Sequence, residues 1–159
     1  IARGARLYVE GIPAEVAAGY GELVATPEEA DVAVLRVSAP FTPSGPSVFE
    51  SFFHSGPLDF GDDVLAHLAE VSAAVPTVVD VFLDRPAIIA PIVDSANAVV
   101  ANWGVSSANL FEVLSGASPA GGKLPFDVPR STAAIEASHS DVPFDTADPL
   151  FRFGHGLSL

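Results

Sequence analysis

The sequence predicts an α/β domain: a three-layer α/β/α sandwich, flavodoxin-like, around a mostly parallel sheet of about six strands. Short runs rich in Val and Leu recur along the chain between Gly and Pro, the pattern of strands buried on both faces. Between them lie segments whose apolar residues return every three or four positions, the period of a helix. At 159 residues the chain has the size of one domain. Strands alternating with helices join by right-handed crossovers, which place helices on both faces of a parallel sheet.

The elements follow in order. Ala5 to Glu10 (ARLYVE) is a first strand, closed by Gly11-Ile12-Pro13. An Ala-rich stretch leads to one helical turn at Pro27-Glu28-Glu29-Ala30, and Asp31 to Val37 (DVAVLRV) is a second, fully buried strand. Val64, Leu65, Leu68, Val71 and Val75 fall on one helical face behind Asp62 and Asp63, whose charge suits a helix N-terminus; Pro76 ends the helix. Thr77 to Leu83 (TVVDVFL) is the next strand. A helix is then expected with Pro86 in its first turn and Pro91 limiting its regularity. Ala98 to Trp103 is a further strand. Ser106 or Ser107 caps a helix whose Leu110, Phe111, Val113 and Leu114 face the core, and Gly116 suits the left-handed residue beyond its end. Lys123 to Val128 (KLPFDV) is a candidate edge strand, and the Pro-, Asp- and Ser-rich remainder is expected to wrap a surface.

Composition excludes several function classes. Twenty acidic residues against seven Lys and Arg give a net charge of −13, which repels phosphate backbones and anionic headgroups, so neither nucleic acid nor a membrane is an expected partner. No stretch approaches the roughly 18 apolar residues of a membrane span. Without cysteine there is no disulfide framework and no thiolate metal site. The chain also lacks methionine and opens at Ile1 in front of a strand, as expected of a piece of something longer.

In open α/β sheets ligands bind beyond the carboxyl ends of the strands, so the loops there matter most. One such loop, residues 38–61, is unusually long and rich in Pro, Gly and Phe. Connections of that length inside a compact domain are generally functional or disordered, and the aromatic content argues against disorder, leaving a binding surface or plain structural packing. It carries Glu50, His54 and Asp59, three groups able to move a proton or bind a polar ligand. Other motifs fail. Gly116 to Lys123 lacks the first glycine of a phosphate loop and has Leu124 where Ser or Thr should hold magnesium. No Gly-x-Ser-x-Gly elbow and no Gly-x-Gly-x-x-Gly occur. His54, His67, His139 and His155 have no zinc-ligand spacing, and Asp80, inside an apolar strand, reads as a hydrogen-bonded core position.

The ordered motifs carry a resemblance. Arg85-Pro86 after a Val-rich strand, Phe111-Glu112-Val113-Leu114-Ser115-Gly116, Ser118-Pro119-Ala120-Gly121-Gly122-Lys123-Leu124-Pro125-Phe126 and Pro129-Arg130-Ser131 resemble the second domain of family 3 glycoside hydrolases. So does the closing Asp148-Pro149-Leu150-Phe151-Arg152-Phe153-Gly154-His155-Gly156-Leu157-Ser158. The resemblance spans most of the chain, which is read as a single domain over residues 1–159. It implies a fold like the one derived above, packed in two-domain members on an N-terminal catalytic barrel that carries an aspartate nucleophile and is not in this chain.

The resemblance further implies a retaining, exo-acting β-glycosidase that hydrolyses terminal β-linked sugars, with this domain as one wall of the active site, no cofactor and no metal. In many members the loop corresponding to residues 38–61 lends the acid/base glutamate. Glu50 is the only glutamate there and becomes the candidate acid/base; His54 and Asp59 become candidate ligands of sugar hydroxyls. A retaining mechanism needs two carboxyl groups about 5 Å apart, so the isolated chain is expected to be inactive. The alternative for Glu50 is a solvated loop residue on a loop that Phe49, Phe52 and Phe53 dock in place. Two rival classes stay open: a non-catalytic binding or scaffold domain, and a flavodoxin-like cofactor-binding domain, which a parallel sheet by itself permits.

Overall fold

The structure, a computed structural model, describes residues 1–139, 141–142 and 144–157. In chain order it contains β1 (Arg6–Glu10), α1 (Ala14–Ala17), β2 (Glu22–Leu23), β3 (Val32–Ser38), β4 (Thr42–Pro43), β5 (His54–Ser55) and α2 (Asp62–Ala74). There follow β6 (Thr77–Phe82), α3 (Ala90–Ser95), β7 (Ala98–Asn102), α4 (Ser107–Leu114), β8 (Val128–Pro129), α5 (Thr132–Glu136) and β9 (Pro149–Phe151).

The described residues form one five-stranded sheet in the order β2-β1-β3-β6-β7, parallel throughout. The alternation read from the sequence is thus an α/β fold, with five strands in place of about six. Because a pleated strand turns successive side chains to opposite faces, each central strand serves two cores. Leu35, Val79 and Val81 face one way, against Leu68 and Val71 of α2 and Ile92 of α3. Leu7 and Val34 face the other, against Ala17 of α1 and Leu110 and Phe111 of α4.

Three segments depart from expectation. Pro86 lies outside α3, which begins at Ala90 with Pro91 in its first turn. The residues ahead of that helix are engaged elsewhere: Ile88 N–H donates to the Leu58 carbonyl at 2.9 Å, and Ile88 bridges Asp59 in parallel. Lys123 to Val128 adds no strand to the sheet. Val128 and Pro129 pair instead with Phe151 and Pro149 in a small antiparallel sheet of their own, while Leu124 exchanges backbone bonds with Gly154 and His155. The closing motif that begins at Asp148 thus lies along 124–129; Ser158, the last residue of that motif, is outside the described residues. β2, a two-residue strand beside β1, has no apolar pattern to announce it.

Candidate active site

Strand order reverses direction between β1 and β3, since the chain passes first to β2 on one side of β1 and then to β3, β6 and β7 on the other. The carboxyl ends of these strands are where an open α/β sheet presents a site. A cavity of about 330 Å³ lies there, lined by Glu10, Leu35, Val37, Asp63, Val64 and His67 among others. Two of its lining groups pair with each other: both Glu10 oxygens lie 2.9 Å from His67 Nε2, and Glu10 also accepts from the Tyr8 hydroxyl at 2.5 Å. A larger hollow of about 940 Å³ sits beside residues 1–4 and 115–117, away from these strand ends.

On the opposite face of the sheet a buried polar network crosses three strands. Asp80 is fully buried; it accepts from Arg36 Nε at 2.5 Å and from Asn102 Nδ2 at 2.7 Å. Asn102 in turn accepts from the backbone of Gly104 and Val105, and Arg36 reaches the Ser107 hydroxyl at 3.0 Å. Asp80 is therefore the hydrogen-bonded core position read from the sequence, and its carboxylate faces interior partners.

The long connection after β3 is a hairpin. β4 and β5 pair antiparallel, Thr42 against Ser55 and Pro43 against His54. Strands of two residues cannot hold themselves together in water, and side chains reinforce them. Ser55 Oγ donates to the Thr42 carbonyl at 3.0 Å, and Ser44 Oγ to the Phe53 carbonyl at 2.9 Å. At the tip, Ser47 and Glu50 cap one another. The Glu50 carboxylate accepts from Ser47 N–H at 3.1 Å, and Ser47 Oγ accepts from Glu50 N–H at 3.2 Å, the reciprocal bonding of a capping box. Hydrogen bonds from Ser47 hold the exposed Glu50 carboxyl below its ordinary range. Around it Phe49, Phe52 and Phe53 are 81, 75 and 66 % exposed, an aromatic surface that the fold itself leaves open.

The other two candidates lie away from the tip. His54 meets Asp84 through Nδ1, and its ring stacks under Phe41 at 3.6 Å between centroids. Asp59, at the end of the connection, accepts from Thr132 Oγ1 at 2.8 Å. The structure thus places Glu50 at the tip, His54 at the base and Asp59 beyond the base, each with an internal partner. Sequence reasoning passed over Asp84, whose carboxylate meets His54, and met Arg85, which bonds the Ser55 and Gly56 carbonyls, only within the Arg85-Pro86 motif.

A parallel α/β layer that closes its own core thus holds an aromatic hairpin with one glutamate out beyond its strand ends. Its family is defined by sequence: residues 4–159 match the glycosyl hydrolase family 3 C-terminal domain, and the chain belongs to that family. Beta-glucosidase C of Emericella nidulans is 46% identical over 155 residues, covering 97% of this chain and 25% of that protein. The periplasmic beta-glucosidase/beta-xylosidase of Dickeya chrysanthemi is 43% identical, over 98% of this chain and 24% of its own length. The chain therefore spans about a quarter of the length of the curated relatives it matches. Among solved structures, a beta-glucosidase from Listeria innocua in complex with isofagomine superposes with a TM-score of 0.74 at 19% identity, over 99% of this chain and 30% of that one. The beta-D-glucoside glucohydrolase of Trichoderma reesei gives 0.66 at 20%, over 89% of this chain and 25% of its own. At such identities the likeness is one of fold.

Proposed function

We propose that this chain acts as the second domain of a longer, retaining, exo-acting β-glycosidase, where it forms one wall of the sugar site and donates the acid/base through Glu50. The nucleophile then comes from an N-terminal barrel, and the isolated chain is inactive, because one carboxyl group cannot both attack the anomeric carbon and protonate the leaving oxygen. The observation that carries the proposal is the hairpin tip: the one glutamate of residues 38–61 stands among Phe49, Phe52 and Phe53, each about two-thirds or more exposed. Exposed aromatic surface of this kind marks a face awaiting a partner or a ligand, and a sugar ring or the barrel's rim both suit it.

A general acid needs a carboxyl pKa raised toward neutrality, whereas Ser47 holds that of Glu50 low. Docking against a barrel would supply the missing effect, since burial in a low-dielectric site disfavours the carboxylate. His54 and Asp59, engaged with Asp84 and Thr132, would bind sugar hydroxyls only by exchanging those partners, so the decisive variant is at Glu50. In the full-length protein, Glu50→Gln is expected to lower kcat on an alkyl or oligosaccharide β-glucoside by about 10²–10⁴-fold, the worth of a general acid. On an aryl glycoside with an activated leaving group, which departs without a proton, kcat/KM is largely spared, whereas kcat falls because the water that releases the sugar has lost its base. Near wild-type rates on both substrates would make Glu50 a loop residue and defeat the assignment.

A further inference from the structure

Asp84 and Arg85 take no part in the proposed proton transfer, yet both reach from the end of β6 to the hairpin. Arg85 donates through Nη1 to the Ser55 carbonyl at 2.5 Å and through Nη2 to the Gly56 carbonyl at 3.0 Å. The carboxylate of the neighbouring Asp84 meets His54 Nδ1. Phe41 lies flat on that imidazole, 11° from parallel. Gly56 has φ +83°, and a Cβ there would come within 2.8 Å of Thr42 Oγ1, so the turn leaving β5 is fixed by the one residue type that can make it. All these contacts converge on the base of the hairpin, at the carboxyl end of a central strand of the sheet.

The hairpin requires such a grip. Two paired residues on each side are too few to set its direction, and the Ser47–Glu50 bonds close the tip without reaching the sheet. A guanidinium offers two N–H groups in a planar fork to neighbouring carbonyls, and its charge strengthens both bonds. An ammonium group cannot copy that fork.

We propose that Asp84 and Arg85 are positioning residues: they lock the base of the hairpin to the sheet and so fix where Glu50 meets the reacting oxygen. The proposal rests on the acid/base reading of Glu50. A misplacement of about 1 Å in a reacting group costs on the order of 10²-fold in rate, so slack at the base is felt at the tip while the domain stays folded.

The test uses the full-length protein with Arg85→Ala, Arg85→Lys and Asp84→Asn, reading amide hydrogen exchange together with kcat and KM on the activated and unactivated glucosides. Arg85→Ala is expected to speed exchange across residues 42–56 while β3 and β6 remain protected. It should lower kcat/KM on the unactivated substrate by about 10–100-fold, the scale of such a misplacement, with kcat/KM on the activated aryl substrate much less affected. Arg85→Lys restores neither, and added guanidinium recovers part of the loss in Arg85→Ala. Unchanged exchange over 42–56 in Arg85→Ala overturns the latch, whatever Glu50→Gln does. Equal losses of kcat/KM on both substrates, tracking the fall in melting temperature, overturn the positioning role. Should Arg85→Ala fail to fold, Asp84→Asn, which keeps the shape of the turn, is read by the same criteria. Failure of the Glu50 assignment shows separately, as wild-type rates in Glu50→Gln beside a hairpin still freed by Arg85→Ala.

Discussion

Among single side chains, Tyr8 gives the clearest pH signature. Its hydroxyl donates to Glu10, and that hydrogen bond, helped by burial and by the carboxylate's charge, pushes its pKa up from 10.0 to about 12. A raised folded-state pKa means that the neutral phenol is favoured by folding. The stabilisation is complete below the unfolded value near 10 and is lost as pH climbs through about 12. Tyr8→Phe should therefore remove a share of the stability that wild type loses between these limits, and denaturant midpoints measured from pH 9 to 12 should fall less steeply in the variant. Parallel curves would refute the pairing. At the same scale, the sequence showed Glu50 only as the sole glutamate of its loop; its mutual cap with Ser47 is a Ser-x-x-Glu signature that could have been read. Arg85 was beyond reach. Its partners are backbone carbonyls 30 and 29 positions away, and no side-chain pattern encodes a carbonyl.

Elements built on a strong period were legible. Val-rich β3 and β6 and the apolar face of α2 stand where expected because burial on both faces, or on one helical stripe, imposes its pattern on the residues. Ser106, one of the two caps expected, does cap α4, accepting from Asn109 N–H at 3.2 Å. Elements that depend on a distant partner were not legible: β2, β4 and β5 have two residues each, and Pro86 to Ile89 gave up a helical turn to bond the end of the hairpin connection. The joint between elements most exposed to mutation is Asp80, which ties β6 to Arg36 on β3 and Asn102 on β7. Asp80→Ala would leave the guanidinium and the amide without their buried acceptor. The expected loss is about 3–5 kcal/mol of unfolding free energy, the cost of breaking a buried ion pair from one side, measurable by chemical denaturation. A loss under about 1 kcal/mol, the range of a surface pair, would show the network to be solvated.

For the molecule as a whole, the last residues are a strap. β9 lies on β8, Leu150 and Phe151 pack on the main core, and the buried Asp127 accepts from Phe153 N–H at 2.6 Å and from Arg152 at 3.0 Å. Ending the chain at Asp148 strips Asp127 of both partners and uncovers Val128. A drop in melting temperature is expected, with α5 and β8 losing amide protection before the central sheet; uniform loss across the molecule would show the strap to be part of one cooperative unit. Sequence reasoning read this tail as a wrapping segment but placed Lys123 to Val128 on the sheet's edge, because the pairing that claims Val128 comes from residues more than twenty positions later.

The hairpin also bears on how such a domain can diversify. A β-to-α connection ordinarily needs about 2–6 residues, whereas this one runs from Ala39 to Phe60, both ends being buried. Loop closure costs only about 0.6 kcal/mol for each doubling of length, so roughly two doublings burden the fold by little more than 1 kcal/mol. The sheet is thus nearly indifferent to what is spliced between its two anchors. Hairpins of other lengths and tips can be exchanged there as cassettes, letting the chemistry at the strand ends drift while the scaffold beneath stays the same.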